Sequence, residues 1–166
     1  MLKVPGIDTS TALGFIAEVG LDMSKWASAK HFTSWLGLSP NNKISGGKVL
    51  SSRTKRTGSP ASTKLRVSAN TLYRSDCWLG AFLRRMKAKV GAPQGITAAA
   101  RKQAVLLYTM ISTGQEYQEA GGDYYEKQHK EKALLNLKKR ATQMGFELIP
   151  KIDPFAAFIP SDNVPI

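Results

Sequence analysis

The residues best equipped for chemistry lie in one short stretch. Lys43-Ile44-Ser45-Gly46-Gly47-Lys48 is followed closely by Arg53-Thr54-Lys55-Arg56-Thr57-Gly58. Glycines let the backbone approach an anion, while lysine and arginine neutralise it. A serine in such a place has two uses: it donates a hydrogen bond to phosphate, or it attacks phosphorus as a nucleophile. Attack is helped by cations that stabilise charge building on the phosphoryl oxygens. Spacing alone favours the hydrogen-bonding use and leaves the other open. The stretch does not have the glycine spacing of a phosphate-binding loop with its Lys-Ser/Thr, which argues against nucleoside triphosphate hydrolysis.

Charge supports an anionic partner. The chain carries 24 Lys and Arg against 12 Asp and Glu, a formal net charge of +12. From Met23 through Ser75 there is no acid at all, and from there to Gln115 Asp76 is the only one. A one-signed block repels itself unless a polyanion or counterions neutralise it. A phosphate backbone is the natural partner, with affinity that falls steeply as salt rises. Lys43, Lys48, Arg53, Lys55, Arg56, Lys64 and Arg66 are the candidate contacts on charge, with Gly46 and Gly47 shaping the backbone.

A second anion-binding candidate is Pro5-Gly6-Ile7, a glycine turn ahead of a helix. Backbone N–H groups at such a turn suit phosphate, and Gly6 is the candidate contact. With a helix before it, the turn would make a helix–hairpin–helix, a non-specific binder of DNA backbone.

Other chemistries find little support. Two-metal nucleases need several convergent carboxylates, and the central block offers only Asp76. Asp8, Glu18 and Asp22 sit near one end. Cys77 is the single cysteine, so no internal disulfide forms, and one cysteine cannot build a zinc site without several other ligands. His31 and His129 have no ligand spacing. No metal or cofactor is expected on this chain. No apolar run reaches membrane-spanning length and no secretory leader is evident. A cytoplasmic protein without membrane contact is the expectation.

These residues must be carried by mostly helical elements. A helix capped by Asp8, Thr9 or Ser10 is predicted to run to Val19 and end at Gly20. A second opens at Ser28 or Ala29, carries Phe32, Trp35 and Leu36 on one face and stops at Gly37. Residues 42–58 have no helical period and read as an exposed loop or short β-hairpin. A helix from Ser59 or Pro60 to Arg74 turns Leu65, Ala69, Leu72 and Tyr73 inward. Another runs from Asp76 to Val90. Gly91-Ala92-Pro93 breaks the pattern, and Thr97 caps a long helix to Thr113. A charged helix spans Tyr124 to Met144. The expectation is a mainly α domain over 1–150, with an irregular or hairpin basic loop in its middle, and an extended proline-containing tail over 151–166.

The ordered motifs resemble a known family. Val4-Pro5-Gly6-Ile7, Ala12 and Glu18-Val19-Gly20 resemble the opening segment of the C-terminal domain of IS116/IS110/IS902-type insertion-sequence transposases, bridge-RNA-guided serine recombinases. The reading FTSWLGLSPN over 32–41, Ser45-Gly46-Gly47-Lys48-Val49-Leu50, Leu65-Arg66-Val67-Ser68-Ala69 and LGAFLRRMKAKVGAP over 79–93 resemble its later segments, as do Gln115-Glu116-Tyr117 and Tyr124-Tyr125-Glu126. The resemblance implies transposition by DNA strand exchange, with Ser45 as the nucleophile that becomes linked to DNA. It also implies a structured guide RNA, homo-oligomers, and an N-terminal RuvC-like domain holding Mg2+ on its own carboxylates. That domain is not in this sequence. The expectation is therefore a chain that binds nucleic acid and does not complete strand exchange alone; the alternative is a non-catalytic nucleic-acid-binding module.

Overall fold

The computed structural model describes residues 1–149. The chain divides into two compact units, Met1–Lys127 and the part from Gln128 onward. The tail expected over 151–166 lies outside the described residues.

The first unit is helical. After turns at residues 1–7, α1 spans Thr9–Val19 and α2 spans Ala29–Trp35. A two-stranded antiparallel hairpin follows, with β1 at Lys43–Ser45 and β2 at Lys48–Ser51. Next come α3 (Pro60–Thr71), α4 (Trp78–Val90), α5 (Ala92–Thr113) and α6 (Gly122–Gln143), which begins in this unit. The expectation of a mainly helical fold with a central hairpin is met.

Helix starts follow short polar side chains. Asp8 accepts from the Thr11 N–H at 2.8 Å, Ser28 accepts from His31, and Ser59 accepts from Ser62 at 3.1 Å ahead of Pro60. Each satisfies one of the N–H groups a helix start leaves unpaired. The Asp8 carboxyl is held below its usual range by the Thr11 hydrogen bonds. Cys77 caps α4, its Sγ accepting from the Gly80 N–H at 3.2 Å. Its thiol is pushed up by burial.

Two expectations need correction. The long helix α5 begins at Ala92, five residues before Thr97. Proline is compatible with a first helical turn because the N–H it lacks has no partner there. Thr97 is inside the helix, where its hydroxyl donates to the Pro93 carbonyl at 2.9 Å. Tyr73 does not face inward. α3 ends at Thr71 and a 3-10 turn over Leu72–Arg74 changes the angular step. Leu72 is thereby kept buried while Tyr73 is exposed, with the Lys87 ammonium 4.5 Å from its ring centre.

The core surrounds α5. Ala99, Ala100, Gln103, Ala104 and Leu107 form its fully buried face. Small side chains there let α2, α3 and α4 approach closely. Leu65 and Ala69 come from α3, Leu79 and Leu83 from α4, and Phe15 from α1. Phe32 joins an aromatic group with Phe15, Trp26 and Tyr108.

One polar knot sits in this apolar setting. The buried Gln103 Nε2 donates to the Pro5 carbonyl and to Ser68 Oγ, each at 2.9 Å. Ser68 Oγ in turn donates to the Gly6 carbonyl at 2.6 Å. Gly6 has φ +80°, and a Cβ there would meet Leu72, the Ser68 carbonyl and Gln103 at 3.0–3.1 Å. The turn, α3 and α5 are thus pinned at one point.

The hairpin has no core of its own. Ser45 pairs with Lys48 and Ile44 with Val49, leaving Gly46-Gly47 as a two-residue turn. Both glycines have positive φ, +55° and +74°. Two successive positive φ values define the turn whose twist matches paired strands. A bulge follows, with Lys43 paired to Ser51. Below it, Pro40 bridges Thr54, and the Asn41 N–H donates to the Arg53 carbonyl at 3.2 Å.

In the second unit α6 continues to Gln143 and ends in a glycine cap. Gly145 has φ +79°, and the Phe146 N–H reaches back to the Ala141 carbonyl at 2.8 Å. Leu134, Leu135 and Leu137 are exposed.

The glycines make this account testable. Gly6→Ala should lower stability by about 2–4 kcal/mol, since it combines a left-handed conformation with an overfilled site. Gly114→Ala, with φ +68° and nothing within 4 Å, should cost only about 1–2 kcal/mol. Urea unfolding midpoints compare the two, and equal losses would contradict tight packing around Gly6. Gly46→Val should fray the hairpin while Gly46→Asn keeps it, because Asn tolerates positive φ. Hydrogen–deuterium exchange over 43–51 should rise only in the valine variant, with the global unfolding midpoint unchanged in both.

Candidate nucleic-acid interface

The hairpin projects its chemistry into solvent. Every residue from Asn41 to Leu50 is exposed. Cross-strand partners point to the same face of a two-stranded ribbon, with Cβ atoms about 5 Å apart. Ser45 and Lys48 therefore share one face beside the turn, and Ile44 and Val49 share the other. Glycines at 46 and 47 leave the turn without side chains, so a phosphate can approach its backbone.

The electrostatics are one-signed. Lys43, Lys48, Arg53, Lys55 and Arg56 are all exposed or partly so, and among the described residues none has an ion-pair partner. No carboxylate lies between Met23 and Ser75. The Ser45 hydroxyl has no protein hydrogen-bond partner among the described residues. It is free to meet a ligand, and no histidine or carboxylate of the hairpin is there to take its proton.

The other sequence-derived candidates are placed elsewhere. Lys64 lies over Gly14 of α1 and donates to the Ser10 carbonyl at 3.3 Å. Arg66 donates to the Gly37 carbonyl at 3.2 Å. Gly37 is packed against the Lys55 carbonyl and Thr57, so Arg66 braces the foot of the basic segment. The Thr57 hydroxyl adds a bond to the Leu36 carbonyl at 3.0 Å. The Gly6 turn is held apart from the hairpin in the polar knot with Ser68 and Gln103. Asp8 already occupies the α1 N-terminus beside it, and Glu18 accepts from the Ala61 N–H at the start of α3. A carboxylate at a helix N-terminus takes the donors and the positive dipole that an incoming phosphate needs.

The fold adds cations that sequence alone does not assign to a site. A cleft of about 800 Å³ separates the segment after β2 from α4 and α5. Arg53 and Arg56 of the segment, Arg101 and Lys102 of α5, and Phe82 and Met86 of α4 are among the residues that line it. The signal available in sequence is only the Arg101-Lys102 pair on a helix otherwise rich in apolar residues. Its meeting with residues some fifty positions earlier is tertiary.

Among the described residues no group of three or more His, Cys, Asp or Glu converges. The resemblance places Mg2+ on the carboxylates of a separate domain, and the described residues of this chain offer no comparable set. No helix among the described residues is long and apolar enough to cross a membrane.

Residues 1–82 match the family model described as Transposase IS116/IS110/IS902 family. No curated protein and no solved structure matches the chain. The matched stretch contains α1, α2, the hairpin, α3 and the first turn of α4, so the part of the chain that bears Ser45 is similar to the IS116/IS110/IS902 transposases, a likeness that supports a role in transposition.

Proposed function

We propose that the hairpin grips a DNA backbone and presents Ser45 as the nucleophile of strand exchange. The observation that carries this is the pairing of Ser45 with Lys48 across a bare glycine turn, on an exposed ribbon whose charges are all positive. In the step, Ser45 Oγ attacks a backbone phosphorus. An Oγ–P bond forms, the P–O bond to one sugar breaks, and the hydroxyl proton is delivered to the departing sugar oxygen. One phosphoester replaces another, so no external energy source is required. Lys43 and Lys48 act on the charge of the phosphoryl oxygens. Arg53, Lys55 and Arg56 hold the flanking phosphates, and Arg66 keeps the segment's foot in place. Lys64 contributes to the surrounding field. The inward carbonyls at Pro5 and Gly6 make that turn a support for the helices more than a grip on DNA. The same cations suit the phosphates of a guide RNA, and homo-oligomers are taken from the resemblance.

The rival reading is a binding module in which Ser45 only donates a hydrogen bond to phosphate. Its support is the lack of any proton acceptor on the hairpin.

Ser45→Ala should abolish strand exchange by the transposase and the covalent protein–DNA adduct trapped on a nicked substrate. Duplex affinity should stay within about threefold, the loss of one modest hydrogen bond. Normal recombination by the alanine variant would sink the serine assignment. DNA binding with no adduct from the unmodified protein would favour the binding module. Replacing Lys43 and Lys48 by Gln should reduce the slope of log K against log salt on duplex DNA by about 0.9 for each phosphate that is no longer neutralised. An unchanged slope would remove the hairpin from the interface.

A further inference from the structure

We infer that the cleft beside the hairpin seats an unpaired DNA strand, with one base turned into it. The inference rests on the proposed reading of Ser45, because it concerns the strand that flanks the attacked phosphate. Arg53, the first cation of the cleft, stands two residues after the end of β2. The cleft therefore begins at the base of the hairpin that bears Ser45, with Pro40, Ser52 and Thr54 also in its lining.

The cleft has the composition a single strand needs. Four cations line it, Arg53 and Arg56 of the segment after β2 and Arg101 and Lys102 of α5, and no carboxylate does. Phosphates can be neutralised from two elements at once. Phe82 and Met86, both partly exposed, offer an apolar floor. The Phe82 ring is held edge-on to Tyr125, with centroids 6.1 Å apart, and the Lys102 ammonium stands 5.9 Å from its centre. A fixed aromatic face under a cation is the pairing used to stack a base while its phosphate is held. The volume, about 800 Å³, falls within the usual range of pockets that enclose a small molecule, roughly 300–1,000 Å³. A duplex keeps its bases stacked inside and can touch only the cationic rim. The first turn of α5 opens on the same cleft without a side-chain cap, and its dipole adds to the positive field.

The apolar floor also favours thymine over uracil. It suits the methyl group of thymine, which uracil lacks.

The test uses the full chain and three probes: fluorescein-labelled oligo-dT, oligo-U and a duplex. Phe82→Leu keeps an apolar side chain but removes the ring, and circular dichroism checks that it folds. It should weaken oligo-dT binding by about tenfold, weaken oligo-U binding in the same direction, and leave duplex binding unchanged. Replacing Arg101 and Lys102 by Gln should lower the salt slope for oligo-dT by about 1.4, or about 0.7 for each single-strand phosphate that each cation neutralises. An oligo-dT carrying 5-iododeoxyuridine should crosslink at Phe82 on irradiation, located by mass spectrometry. Equal losses on duplex and single strand, or crosslinks only outside the cleft, would each overturn the inference. If the Lys43/Lys48 variant loses duplex binding while the cleft variants keep oligo-dT, the cleft falls and the hairpin reading stands. If the hairpin variant loses nothing while the cleft variants do, the hairpin reading falls and takes the argued continuity with it.

Discussion

The first unit depends on the buried face of α5. Its alanines make the helix thin enough for α2, α3 and α4 to reach it together, and Leu107 fills the remaining space. Gln103 sits in the middle of that face, where an amide would be costly without partners. Its NH2 group is satisfied by Pro5 and Ser68, and so the packing of helices and the placement of the N-terminal turn become one condition. A slip of α5 along its axis would break both bonds and bury an unpaired amide, a loss of roughly 1–3 kcal/mol for each unpaired group. Apolar packing alone tolerates such slips better, because it has no preferred direction.

A rigid body of this kind lets the hairpin carry self-repelling charge. Five cations on and just after two short strands would not hold together as an isolated ribbon, since a lone hairpin is marginal in water. The stem is anchored instead by bonds to the body. The Thr57 and Arg66 contacts fix the C-terminal side, and the bridge from Pro40 to Thr54 closes the base. The Gly46-Gly47 turn then sets register at the far end, which keeps Ser45 opposite Lys48. A one-residue slip would move one of them to the other face.

Much of this is legible in the sequence where the cause is local. Asp8, Ser28 and Ser59-Pro60 mark helix starts because capping acts within three residues. Paired glycines between β-formers mark the hairpin for the same reason. The start of α5 is not legible because proline has two meanings, breaking a helix inside and fitting its first turn. Tyr73 escapes the helical pattern because a 3-10 turn changes the angular step just before it. The cleft is not legible at all: nothing local brings Arg53 and Arg56 into one lining with Arg101 and Lys102. The role of Ser45 is the hardest case. Its residue type and neighbours fit a hydrogen-bond donor equally well, and only the resemblance of ordered motifs raises the nucleophile above it.

The missing proton acceptor bears on how labour is divided in the proposed reaction. A serine hydroxyl is a weak nucleophile until a base takes its proton or the phosphate becomes a better electrophile. The hairpin has no histidine or carboxylate, so its residues act on the phosphate. Cations aimed at the phosphoryl oxygens lower the cost of the charge developing there, and they do so with little reorganisation because the ribbon is preset. A carboxylate base on the same ribbon would pair with Lys43 or Lys48 and cancel the field that attracts DNA. Holding phosphate and activating serine are thus opposing demands on one small surface. A proton acceptor supplied from outside the hairpin, by another part of the recombination complex or by the leaving oxygen itself, meets both demands without that cancellation.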